Sequence, residues 1–203
     1  MAAPLEQFKG NILGFAKRMT PLVLTEKEEQ VLLEFQFGTR KGLGLYAWAV
    51  DGMHRCLYLM CLVVLWRTLC FDDQLTGVYG RSKHSAVTFV NALSHFVSEC
   101  SPEVRTQLRW HLTEPRVTTQ EVEFWRIVAF APTENDLEPA RQLLTNVIYY
   151  DFDLIPCWLI EQTQAALRGK DRTITLALIL DRKRRPVEPL GAQWFDGNDT
   201  QDD

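Results

Sequence analysis

The stretch Cys56-Leu-Tyr-Leu-Met-Cys-Leu-Val-Val-Leu-Trp66 is eleven apolar residues without a break, closed by Arg55 before it and Arg67 after it. A membrane-crossing helix needs about 20 apolar residues, so the run reads as the centre of a buried helix over roughly Ala47 to Cys70. It is apolar almost all round in its second half, so both of its sides should be covered. Whatever covers them sets the architecture.

Upstream, Gln30 to Phe37 alternates in the manner of a half-buried strand, with Val31, Leu33, Phe35 and Phe37 set against Leu32, Glu34 and Gln36. Three glycines and two cations in Gly38-Thr39-Arg40-Lys41-Gly42-Leu43-Gly44 make a basic turn. Further upstream, Leu5, Phe8, Ile12, Phe15, Ala16 and Met19 share one helical face, with Lys9, Lys17 and Arg18 at its edge or opposite. Pro21 limits that helix.

Downstream, Phe71 to Lys83 reads as a loop, since Asp72, Asp73, Gly77 and Gly80 are turn formers. A helix follows from about Ser85 to Ser98, then a short one from Pro102 toward Trp110. Period-two alternation returns over Thr118 to Phe130. Asn135 or Asp136 can cap a helix with Pro139 in its first turn and Leu137, Leu143, Leu144, Val147 and Ile148 on its buried side. Asp151 to Pro156 is a turn, Trp158 to Arg168 a helix, and Thr173 to Leu180 a last strand.

Few strands and long helices predict an α+β fold: a small antiparallel or mixed sheet packed by several helices on one side. The absence of regular strand–helix–strand alternation speaks against a doubly wound sheet. The expected organisation is an amphipathic basic segment over residues 1–25, one globular domain over 26–185, and an acidic disordered tail over 186–203.

The 203 residues are 46% hydrophobic and 24% charged, the balance of a globular domain with a real core. A formal net charge of -4 argues against whole-surface binding of nucleic acid. The cysteines number five, three of them in or beside the apolar run, and none forms a CxxC pair, so free thiols in a reducing compartment are expected. No secretory signal is read at Met1 to Phe15.

His54, His84, His95 and His111 do not fall in HExxH or at zinc-ligand spacing with cysteine. There is no GxxxxGK[ST], no GxGxxG and no GxSxG. The reading is of a non-enzyme without cofactor or metal. What remains is the amphipathic N-terminus, whose Phe8, Ile12 and Phe15 could enter a lipid interface while Lys9, Lys17 and Arg18 meet anionic headgroups. A second feature is the basic set Arg40, Lys41, Arg81, Lys83, Arg182, Lys183, Arg184 and Arg185, a contact patch if the fold brings its parts together. The run Arg182 to Arg185 could also act as a nuclear-localisation signal.

The unit Val31-Leu-Leu-Glu-Phe-Gln-Phe37, then Thr39-Arg40-Lys41-Gly42-Leu43, then a helix, resembles the start of the globular part of rhabdovirus matrix proteins. Asp72, Tyr79, Gly80 and Arg81 leading into the 85–98 helix are similar to a turn in that family. The resemblance implies a virion protein of the host cytoplasm that coats the inner membrane face, binds the viral nucleocapsid protein, self-associates into homo-oligomers and supports assembly and budding. No PPxY or P[ST]AP motif is present, so direct recruitment of host budding machinery is not implied. The competing reading is a soluble, non-enzymatic interaction module or host-factor antagonist.

Overall fold

The computed structural model describes residues 5–37, 44–48, 53–72, 74–111, 116–119, 122–130, 132–133, 144–167, 174–179 and 193–196. The helices are α1 (Ile12–Met19), α2 (Glu26–Phe37), α3 (Met53–Cys70), α4 (Lys83–Glu99), α5 (Pro102–Gln107) and α6 (Cys157–Leu167). The strands are β1 (Gly44–Trp48), β2 (Thr76–Tyr79), β3 (Leu108–His111), β4 (Arg116–Thr119), β5 (Val122–Phe130), β6 (Asn146–Tyr150), β7 (Ile174–Ile179) and β8 (Gln193–Asp196).

All eight strands join one sheet in the order β3-β4-β5-β2-β6-β7-β1-β8. From β5 to β8 every neighbouring pair is parallel, and β4 is antiparallel to both β3 and β5. This is an α/β fold, and the expected α+β arrangement with a one-sided sheet is corrected. Helices cover both faces. On one, Val78, Ile127, Ala129, Ile148, Tyr150 and Leu176 join a core with α1, α3 and α4. On the other, Tyr79, Val128, Val147, Tyr149 and Ala177 pack against Leu159, Ile160 and Leu167 of α6.

β2 and β6 eluded pattern reading because they are short and covered on both faces, which removes the alternation of a half-exposed strand. Thr76 to Tyr79 are all buried, as are Asn146 to Tyr150. Hence β2 hid in the expected loop at 71–83. Val147 and Ile148, assigned to a helix face, lie in β6, while the rest of that expected helix, through Leu143, lies outside the described residues. The tail expected to be disordered supplies β8, which pairs with β1 from Leu45↔Gln193 to Trp48↔Asp196.

The Gln30–Phe37 alternation is helix, not strand. A reciprocal cap starts α2: Thr25 Oγ1 accepts from Glu28 N at 3.3 Å and Glu28 Oε2 accepts from Thr25 N at 2.7 Å. Glu26, Glu28 and Glu29 in the first turn suit the positive end of the helix dipole. Leu32 is buried, and Val31 and Phe35 pack on the core one turn apart. The side chain of Gln36 accepts from Ile12 N at 2.7 Å, tying α2 to α1.

The central apolar run lies in a buried helix as expected, but α3 starts at Met53, and Ala47 and Trp48, expected in that helix, close β1 instead. From Leu59 to Cys70 every residue of α3 is buried, and no described helix is long and apolar enough to cross a membrane. Trp66 of α3 donates through Nε1 to the carbonyl of Phe8 at 2.9 Å, and Leu69 O accepts from Leu5 N at 2.8 Å. The N-terminal segment is thereby stitched to the helix it covers.

Candidate functional site

In open parallel sheets, ligands collect beyond the carboxyl ends of the strands, where successive connections leave in opposite directions. Here β1 lies between β7 and β8. Its chain continues through α3 to β2, three places away on the β7 side, while β7 is followed in sequence by β8 on the far side.

Two turns are well defined at this edge. At the end of β2, Tyr79-Gly80-Arg81-Ser82 enters α4. Ser82 caps that helix: its Oγ accepts from Ser85 N at 3.3 Å, and Ser85 Oγ accepts from Ser82 N at 3.1 Å. The turn is tight enough to need glycine, because a Cβ on Gly80 would stand 2.2 Å from Ser85 Oγ and 2.9 Å from the Ala86 nitrogen.

At the end of β6, Asp151 follows Tyr150. Among the described residues, Asp151 is the only non-glycine with positive φ, at 64°. Aspartate tolerates this left-handed geometry better than most residues, at an energetic cost that persists only where surroundings impose it. Asp151 is 5% exposed. Its Oδ2 lies 3.9 Å from Nε of Arg81, whose side chain is 63% exposed. A buried acid on a strained backbone thus faces an exposed guanidinium across adjacent parallel strands. Burial first, and the charge of Asp151 second, push the Tyr150 hydroxyl above its usual range.

Of the expected basic patch, Arg81 and Lys83 flank the cap residue Ser82, and both are exposed, as is His84. Arg40, Lys41, Arg182, Lys183, Arg184 and Arg185 lie outside the described residues. So do Ala49, Val50, Asp51 and Gly52, which join β1 to α3; their sequence carries no glycine-rich phosphate loop with its lysine. Among the described residues no three of His, Cys, Asp and Glu form a metal cluster. Asp151 was missed from sequence, where it reads as a turn former. Its available signal was an acid directly after a short apolar run, which gains meaning only once that run is known to be a parallel strand.

The membrane-inserting role expected for Phe8, Ile12 and Phe15 is corrected. They are 5%, 0% and 0% exposed and belong to the main core. Burying each contributes on the order of 1.5–3 kcal/mol, and moving them into lipid would empty the space beside α3. The cations are engaged within the chain too. Lys9 sits 3.7 Å from Glu6, Lys17 pairs with Glu29 at 2.7 Å, and Arg18 lies over the Phe8 ring at 5.6 Å.

The class these features define is a doubly wound α/β domain with an ion-paired carboxyl edge. No family model matches the chain, and no curated protein matches it. Among solved structures it is similar to the large terminase of a thermophilic bacteriophage, with a TM-score of 0.58 and 14% identity over 79% of this chain and 39% of that one. At this identity the likeness concerns the fold, and the chain spans well under half of the terminase.

Proposed function

We propose that this chain is a terminase-type α/β domain that binds the phosphate groups of a nucleotide at its carboxyl edge and does not turn it over. One observation carries the reading: the Arg81–Asp151 pair at the ends of two central parallel strands. The buried carboxylate stands 3.9 Å from an exposed guanidinium, and Lys83 adds a second cation one residue past the cap. Charge-assisted bonds from guanidinium to phosphate contribute about 1.5–3 kcal/mol each. The lack of a glycine-rich loop with its lysine argues for weak binding without hydrolysis, because phosphoryl transfer depends on such a cradle to neutralise developing charge. The fold likeness to a terminase supports the class and does not supply the ligand.

The membrane-coating alternative rests on the N-terminal segment, which here packs on its own domain, and it is not carried forward. Titration with a fluorescent ATP analogue, alongside a phosphate-release assay, tests the reading. Saturable binding that weakens about tenfold or more in Arg81→Ala, with no release above the protein-free blank, is expected. Binding indifferent to that substitution, or steady turnover, would refute it.

A further inference from the structure

At the end of the sheet opposite the carboxyl edge, a buried polar network closes the amino ends of β2 and β6. Arg67, 4% exposed and in the last turn of α3, lies over the Phe71 ring at 4.2 Å and donates from Nη2 to Gln74 Oε1 at 3.0 Å. The same oxygen accepts from Nδ2 of Asn146, itself 2% exposed, at 3.1 Å. A guanidinium can only donate, so the Gln74 atom it meets is the amide oxygen, and the Asn146 atom facing that oxygen is the amide nitrogen. That nitrogen also reaches Thr145 Oγ1 at 3.0 Å and Thr76 Oγ1 at 3.4 Å. Thr145 Oγ1 in turn accepts from Leu75 N at 2.9 Å.

The network ties positions that stand 70 apart, Thr76 to Asn146 and Leu75 to Thr145. Strand pairing carries that offset through Tyr79↔Tyr149, and Arg81 and Asp151, just beyond the two strands, share it. A slip of two residues preserves which side chains face which layer of helices. Both strands are buried throughout, so their aliphatic side chains discriminate weakly between such registers. The polar groups discriminate strongly. Slipped one way, Asn146 faces Val78 and loses Gln74 and Thr76. Slipped the other way, Thr76 faces Ile148 and the Leu75–Thr145 bond breaks. A buried amide or hydroxyl without its partner costs more than a mismatch between two aliphatic groups. Either slip would also part Arg81 from Asp151 by roughly 6.6 Å, at about 3.3 Å per residue.

We infer that the Gln74–Asn146 amide pair is the register key of β2 and β6, a positioning device that sets Arg81 against Asp151 from the far end of the strands. A polar side chain among apolar neighbours fixes register because one alignment alone satisfies it. The inference stands apart from the nucleotide reading: it is read out by strand register and not by ligand binding, so either can fail alone.

The test uses the full chain, isotopically labelled, with nuclear Overhauser contacts between Val78 and Ile148 as the signature of the native register. The wild type should show one set of resonances for residues 76–79 and 146–150. Gln74→Glu keeps the oxygen that Arg67 and Asn146 share, and should do the same. Gln74→Leu and Asn146→Leu should each show a second set, with new contacts pairing Thr76 with Ile148 or Val78 with residue 146, while circular dichroism stays that of a folded chain. Gln74 is only half-buried, so its two variants decide the matter alone should Asn146→Leu fail to fold. A single native set in Gln74→Leu, or the same doubling in Gln74→Glu as in Gln74→Leu, would overturn the inference.

Discussion

Glu28, with no exposed surface, receives both ends of the Arg55 fork, Nε on Oε1 at 2.6 Å and an Nη on Oε2 at 2.5 Å, so the start of α2 is locked to the start of α3. The same guanidinium donates to the Val23 carbonyl. Burial alone would raise the Glu28 carboxyl, but the bonds from Arg55 and Thr25 together outweigh it and hold its pKa below the ordinary value. Removing one partner of a buried pair strands the other. Arg55 is 30% exposed, so Glu28→Ala should cost less than a fully buried pair, about 2–3 kcal/mol. Urea unfolding at pH 7 measures it, and a change under 0.5 kcal/mol would refute the lock.

The same pair sets a pH dependence. The folded pKa is depressed relative to the unfolded chain, so its contribution is fully present above the unfolded value of about 4.3–4.5 and is lost as pH falls through the folded value. Unfolding midpoints taken from pH 7 to pH 3 should decline below about pH 4.5. In Glu28→Gln the decline should be shallower, and equal slopes would remove Glu28 from the account.

Gly80→Ala places a methyl against Ser85 and the Ala86 nitrogen, breaking the cap of α4. A loss of about 1–2 kcal/mol is expected. Gly10→Ala meets no atom within 4 Å and serves as the control, with a change within about 0.5 kcal/mol. Thermal unfolding of the two variants side by side decides the matter.

Four of the five cysteines are buried and Cys157 is exposed. Burial pushes the Cys61 and Cys70 thiols far up and Cys100 to about 12, which suppresses the reactive thiolate. At pH 8 a thiol-selective chromogenic disulfide should modify one cysteine quickly, and all five after denaturation. Two or more fast thiols in the native protein would contradict the packing around α3.

Phe15→Ala should destabilise the fold by about 3–5 kcal/mol, the range for a buried phenylalanine. A surface anchor meant for lipid would lose almost nothing. Calorimetric unfolding distinguishes the two.

Much of the chain could be read directly. The buried helix around Cys56–Trp66, the helix near 85–98 and the larger part of the strand expected over Thr118 to Phe130, which the structure divides between β4 and β5, follow from apolar run length and periodicity, both local quantities. The sheet type could not be read this way. Thr76 to Tyr79 and Asn146 to Tyr150 are strands because other strands and helices enclose them on every side, and such enclosure erases the period that marks a strand in sequence. Amphipathicity at Phe8, Ile12 and Phe15 says only that one face is apolar, and the tertiary structure decided that the face meets α3. Arg81 and Asp151 are 70 positions apart in sequence and become neighbours solely because β2 and β6 run parallel and in register, a relation set by backbone pairing that no single stretch of sequence encodes.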